Sequence, residues 1–77
     1  MPEDTDIRFP QMVRDLREQL GLTQEQFAAK IGVTWSTVNR WENGRGNPSP
    51  LALQNLKELV KNVPDLTDAL RDEFSNM

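Results

Sequence analysis

The sequence predicts an all-α fold, a compact bundle of four to five helices. Three observations carry this reading. Apolar residues recur at spacings of three and four, as one face of a helix requires. Residues that start and stop helices separate these stripes. No alternating run of β-branched residues survives the Gly and Pro marks, so nothing reads as a strand. The chain has 77 residues, which bounds it at one domain with a thin core.

Residues 1–9 read as a flexible acidic arm, in which Ile7 and Phe9 are the side chains suited to touch the body. Residues 10–74 read as the single domain and 75–77 as a C-terminal tail. Pro10 fits a first helical position, and Met12, Val13, Leu16 and Leu20 follow it as one stripe. Gly21 ends that helix. Thr23 is an N-cap whose capping box closes with Gln26, and Phe27, Ala28 and Ile31 form the apolar face behind it. Gly32 breaks this helix after about two turns. Thr34 caps the next, with Val38 and Trp41 inward and Gly44 closing it. Arg45–Ser49 is a loop rich in Gly, Asn and Pro. Ser49 followed by Pro50 starts a fourth helix, lined by Leu53, Leu56, Leu59 and Val60. Asn62–Pro64 interrupts it. Leu66, Ala69, Leu70 and Phe74 suggest a last helix, and the stripe Leu66, Leu70, Phe74 either covers the core or forms part of a twofold dimer face.

Composition removes several classes of function. The chain holds no cysteine and no histidine, so thiolate metal sites, disulfides and the usual general base are absent. An enzyme would need a carboxylate pair alone, and the acids fall on tails and exposed faces. The reading is therefore not an enzyme, with no cofactor. No apolar run approaches the roughly 20 residues of a membrane span, and the acidic start lacks the apolar stretch of a secretory signal. A cytoplasmic protein is the expectation. The net charge is −3, the wrong sign for a partner of phosphates. Its distribution matters more. Residues 1–9 carry −2, residues 10–20 are neutral, residues 21–50 carry +1 and residues 51–77 carry −2.

The informative piece is residues 23–44, TQEQFAAKIGVTWSTVNRWENG. Two short capped helices are joined by a Gly-containing turn of about three residues. Such a connection sets helices at a large angle, as a helix-turn-helix requires. Ala28 and Ala29 are small where the helices approach. The second helix, residues 35–43, suits the major groove, about 12 Å wide. Its polar residues lie opposite its apolar stripe.

The run RDLREQLGLTQEQFAAKIGVTWSTVNRWENGRGNPSPLAL resembles the Cro and phage-repressor (Xre-type) helix-turn-helix family. The resemblance covers about Val13 to Leu59. It rests on Gly21-Leu22-Thr23-Gln24, Phe27-Ala28, Ile31-Gly32-Val33, Thr37-Val38, Trp41-Glu42-Asn43-Gly44 and Asn47-Pro48, all in register. It implies a four- or five-helix DNA-binding domain and a transcriptional regulator that binds double-stranded DNA as a homodimer. It implies base reading by Arg40, with Asn39, Ser36 and Thr37 as further candidates. Gln24 would hold a phosphate, Thr34 would touch backbone or base, and Asn43, Arg45 and Asn47 would approach phosphates. Arg17 and Glu42 match a structural ion pair. Trp35 departs from the polar residues usual at its position. It suits a thymine methyl, or packing against the protein or a partner. Several antitoxins share this domain, so the second reading is an antitoxin-like or adaptor protein. Its main partner would be another protein, such as a toxin, with DNA binding serving autoregulation, and the acidic ends suit a basic partner.

Overall fold

The computed structural model describes the backbone of residues 4–77 and the side chains from Arg8 onward. Among the described residues the chain forms five helices and no strand: α1 (Asp4–Gln19), α2 (Gln24–Ile31), α3 (Trp35–Glu42), α4 (Pro50–Asn62) and α5 (Asp68–Ser75). Helix α3 packs against α2 and α1, α4 packs against α5 and α2, and α5 returns to α1. Val13, Leu16, Phe27, Val38, Trp41, Leu56 and Phe74 are the most deeply buried large side chains. No helix among the described residues is long and apolar enough to cross a membrane.

Local chemistry sets most of the boundaries. Thr23 and Gln26 form the reciprocal capping box of α2: Gln26 N–H donates to Thr23 Oγ1 at 3.1 Å, and Thr23 N–H donates to Gln26 Oε1 at 2.9 Å. The hydroxyl of Ser49 accepts from Ala52 N–H at 3.1 Å, and Pro50 takes the first position of α4. Gly32 caps α2 at φ +77°, a left-handed conformation that costs glycine little. Two helix ends are tied down by side chains from other helices. Asn55 donates to Ile31 O at 3.2 Å. Arg71 donates to Val60 O at 3.1 Å and Val63 O at 2.9 Å, which satisfies carbonyls at the end of α4.

The structure corrects four expectations. Helix α1 starts at Asp4, not at Pro10, so residues 4–9 are helix rather than arm. Residues 1–3 lie outside the described residues, as does the side chain of Ile7. The reason is Phe9, which extends the Val13–Leu16 stripe back by four residues. It is buried and meets Trp41 edge to face, with ring centroids 5.7 Å apart. Pro10 thus sits inside the helix, where it lacks an N–H to donate. Second, Ala29 is exposed, and Ala28 alone of the pair is buried between helices. Third, Leu66, Leu70 and Phe74 are all buried within the single chain, so this stripe covers the core and is no free dimer face. Fourth, Ser75 belongs to α5, and the tail is held: Lys57 Nζ donates to Met77 O at 2.9 Å.

The start of α1 gives a direct test. Phe9→Ala is expected to lower stability by about 2 kcal/mol, below the usual ~3–5 for a core phenylalanine because a helix end can collapse inward. The urea midpoint should fall with the slope unchanged. A midpoint within 0.1 M of the parent would return residues 4–9 to the status of an arm.

Candidate nucleic-acid interface

Helices α2 and α3 are separated by three residues, Gly32, Val33 and Thr34. The left-handed Gly32 reverses the chain, half-buried Val33 packs on the core, and Thr34 opens α3. Thr34 Oγ1 accepts from Thr37 N–H at 3.2 Å and lies 2.8 Å from Thr37 Oγ1 and 3.1 Å from Ser36 Oγ. Three hydroxyls thus gather at the N-terminus of α3, where helix N–H groups and the dipole favour a negative neighbour.

One face of α3 is sealed by Val38, Trp41 and Glu42. Ser36 and Arg40 on the opposite face are exposed, as is Trp35 at the first position of the helix, with Thr37 and Asn39 half-buried beside them. Trp35 is 51% exposed, a large apolar surface for a free side chain. Arg40 has no ion pair among the described residues, and its Nε lies 3.8 Å from where a Cβ on Gly46 would stand. Its head therefore rests along the loop after α3. Asn43, Arg45 and Asn47, which follow α3, are exposed.

Beneath this surface lies the one buried charged side chain among the described residues, Glu42. Arg17 grips it with both arms of its fork, Nε to Oε2 at 2.7 Å and Nη2 to Oε1 at 3.0 Å. Arg17 Nη1 also donates to Leu22 O at 3.2 Å. Arg14 adds charge at 3.7 Å from Oε1, and its Nη2 donates to Glu42 O at 3.4 Å. Burial pushes the Glu42 carboxyl up. The hydrogen bonds from Arg17 and Gln24 and the charges of Arg17 and Arg14 outweigh this and hold it below the usual carboxylate range.

From Glu42 a row of amides leads out to the surface. Gln24 Nε2 donates to Glu42 Oε1 at 3.0 Å. Asn39 Nδ2 donates to Gln24 Oε1 at 3.3 Å, and Asn43 Nδ2 donates to Asn39 Oδ1 at 3.1 Å. Sequence reasoning treats Gln24, Asn39, Asn43 and the Arg17–Glu42 pair as separate features, whereas the fold joins them. The Asn39–Asn43 link has a sequence signal, since residues four apart on a helix are neighbours. The link from Gln24 to Asn39 crosses between helices and has none. Arg14 is likewise missed, although it lies three residues before Arg17 on the same face of α1.

The family described as Helix-turn-helix matches residues 13–59, which span the end of α1 through most of α4. The chain belongs to the Xre/Cro-type helix-turn-helix family. It is 41% identical over 54 residues to the HTH-type transcriptional repressor RghR of Bacillus subtilis, covering 69% of this chain and 40% of that protein. It is 33% identical over 55 residues to the HTH-type transcriptional activator BcrR of Enterococcus faecalis, covering 71% of this chain and 26% of that protein. An uncharacterized HTH-type transcriptional regulator of Sinorhizobium medicae is 30% identical over 63 residues, 82% of this chain and 45% of that protein. The chain thus spans less than half the length of these three relatives. No solved structure matches it. The helix-turn-helix regulator family is DNA-binding and not enzymatic.

Proposed function

We propose that this domain binds double-stranded DNA sequence-specifically, as the DNA-binding part of a transcriptional regulator, with α3 laid in the major groove. The observation that carries the proposal is the two-sided character of α3. Its apolar side is sealed, while Ser36 and Arg40 on the other side and Trp35 at its N-terminal end are exposed. Arg40, Asn39, Ser36, Trp35 and Thr37 are the base-facing residues in this reading. Gln24, Thr34, Asn43, Arg45 and Asn47 flank them and approach the backbone, fixing register. One such helix offers few base contacts. A homodimer on two half-sites about 34 Å apart doubles them and accounts for useful affinity from an acidic chain.

Selection of bound duplexes from a random pool at moderate salt tests the proposal. Enrichment of an inverted repeat with half-site centres about one helical turn apart is the expected result. No enrichment by folded protein would overturn it and direct attention to a protein partner. The salt dependence is a further check. Cations on the proposed face are few, so about three phosphates per monomer are neutralised, giving a log–log slope near −5 for a dimer. A slope steeper than about −14, the mark of eight or more phosphates per monomer, would contradict this placement of the domain on DNA.

A further inference from the structure

The row Glu42–Gln24–Asn39–Asn43 has a direction imposed by chemistry. A carboxylate only accepts, so Gln24 must turn its NH2 toward Glu42 Oε1, 3.0 Å away. The oxygen of Gln24 is then the atom facing Asn39, so Asn39 must turn its own NH2 inward, at 3.3 Å. The oxygen of Asn39 is thereby the atom facing Asn43, which donates at 3.1 Å. One buried carboxylate thus sets the orientation of three amides in series. The Arg17 fork holds that carboxylate, so it cannot rotate to suit them.

We propose that Glu42 is a positioning residue for base recognition: acting through Gln24, it pins the Asn39 amide in one order, NH2 toward α2 and oxygen toward Asn43, and so sets Asn39 to read adenine in one strand orientation. The inference rests on the placement of α3 in the major groove. In this state Asn39 keeps one spare N–H and one spare lone pair side by side. That pair matches adenine, whose major-groove edge offers N7 as acceptor and N6–H2 as donor. It fails guanine, whose N7 and O6 both accept. Because the order of donor and acceptor is fixed, A·T is distinguished from T·A at that pair. A freely flipping amide would blur the two.

The test uses the whole chain and the duplex it selects from the random pool. Asn39→Ala first identifies the base pair concerned, as the one position whose preference is lost. At that pair the parent is expected to favour A·T over T·A roughly tenfold, within the range of a bidentate contact. Gln24→Met keeps the length of the side chain but cuts the row between Glu42 and Asn39. It is expected to bring that preference below about threefold, and to add nothing further in the Asn39→Ala background. A loss of affinity uniform across all base pairs, with the preference at this one intact, would overturn the inference while leaving DNA binding in place. A readout without DNA separates the two ideas further. Gln24→Met should shift the side-chain amide resonances of Asn39 and Asn43 in the free protein, and unmoved resonances would show that the row transmits nothing. Failure of the parent to select any duplex would instead overturn the groove placement and this inference together.

Discussion

Arg17→Ala is expected to cost about 3–5 kcal/mol of stability, because it leaves a buried carboxylate without its main partner. The side chain of Glu42 is only 3% exposed, while that of Arg14, the nearest other cation, is 43% exposed and 3.7 Å away. Arg14 therefore replaces little of the two-pronged contact at 2.7 and 3.0 Å. A loss of this size is a large part of what a domain of this length possesses. The pH dependence sharpens the test. Glu42 is held below its ordinary value in the folded state, so over the acid range the unfolded chain binds more protons. The contribution is present above the unfolded glutamate value, near pH 4.5, and is lost as pH falls through the lower folded value. Urea titrations at pH 7 and between pH 3 and 6 measure both effects. In the Arg17→Ala variant the largest cause of the lowering is removed while burial, the Gln24 hydrogen bond and the Arg14 charge remain, so Glu42 should contribute less to acid destabilisation. A stability loss below about 1 kcal/mol, or an unchanged acid profile, would show that the pair is no keystone of the α1–α3 packing.

The contrast between what is legible in the sequence and what is not follows the range of the interactions. The caps are written in neighbouring residues: Thr23 with Gln26, Ser49 with Pro50, Gly32 after Ile31. Each acts within one turn, so each can be read without the fold. The start of α1 cannot. Pro10 has the chemistry of a first helical position, and the burial of Phe9 that favours an earlier start involves Trp41, 32 places further on. Ala28 and Ala29 are equally small, but only Ala28 shares the stripe of Phe27 and Ile31, and a 100° step turns Ala29 out of it. The stripe Leu66, Leu70, Phe74 is apolar whether it meets its own core or a second copy. Its burial against α1 and α4 settles which. In the candidate site the exposed face of α3 is legible, since inward Val38 and Trp41 define its opposite. The amide row is not, because Gln24 reaches Asn39 only once α2 and α3 are set at their angle.

Arg40→Ala is expected to reduce affinity for the selected duplex by about 100-fold or more while leaving the fold intact. The side chain is exposed and makes no ion pair among the described residues, so its loss should change stability by less than about 0.5 kcal/mol. On DNA its fork suits guanine O6 and N7, a contact worth about 1–3 kcal/mol of discrimination, and a dimer makes it twice. Binding to the selected duplex and to an unrelated one, measured at the same salt, separates the roles. A reader of bases loses the difference between the two duplexes, whereas a phosphate ligand weakens both alike. Arg40→Lys adds a third arm. It keeps the charge and so the unrelated affinity, but a flexible point charge lacks the planar fork, and most of the guanine preference should go. Parallel losses on both duplexes would move Arg40 to the backbone and leave base reading to Asn39, Ser36, Trp35 and Thr37. Unchanged affinity on both would remove α3 from the groove, and with it the reason for Trp35 to stand half in water.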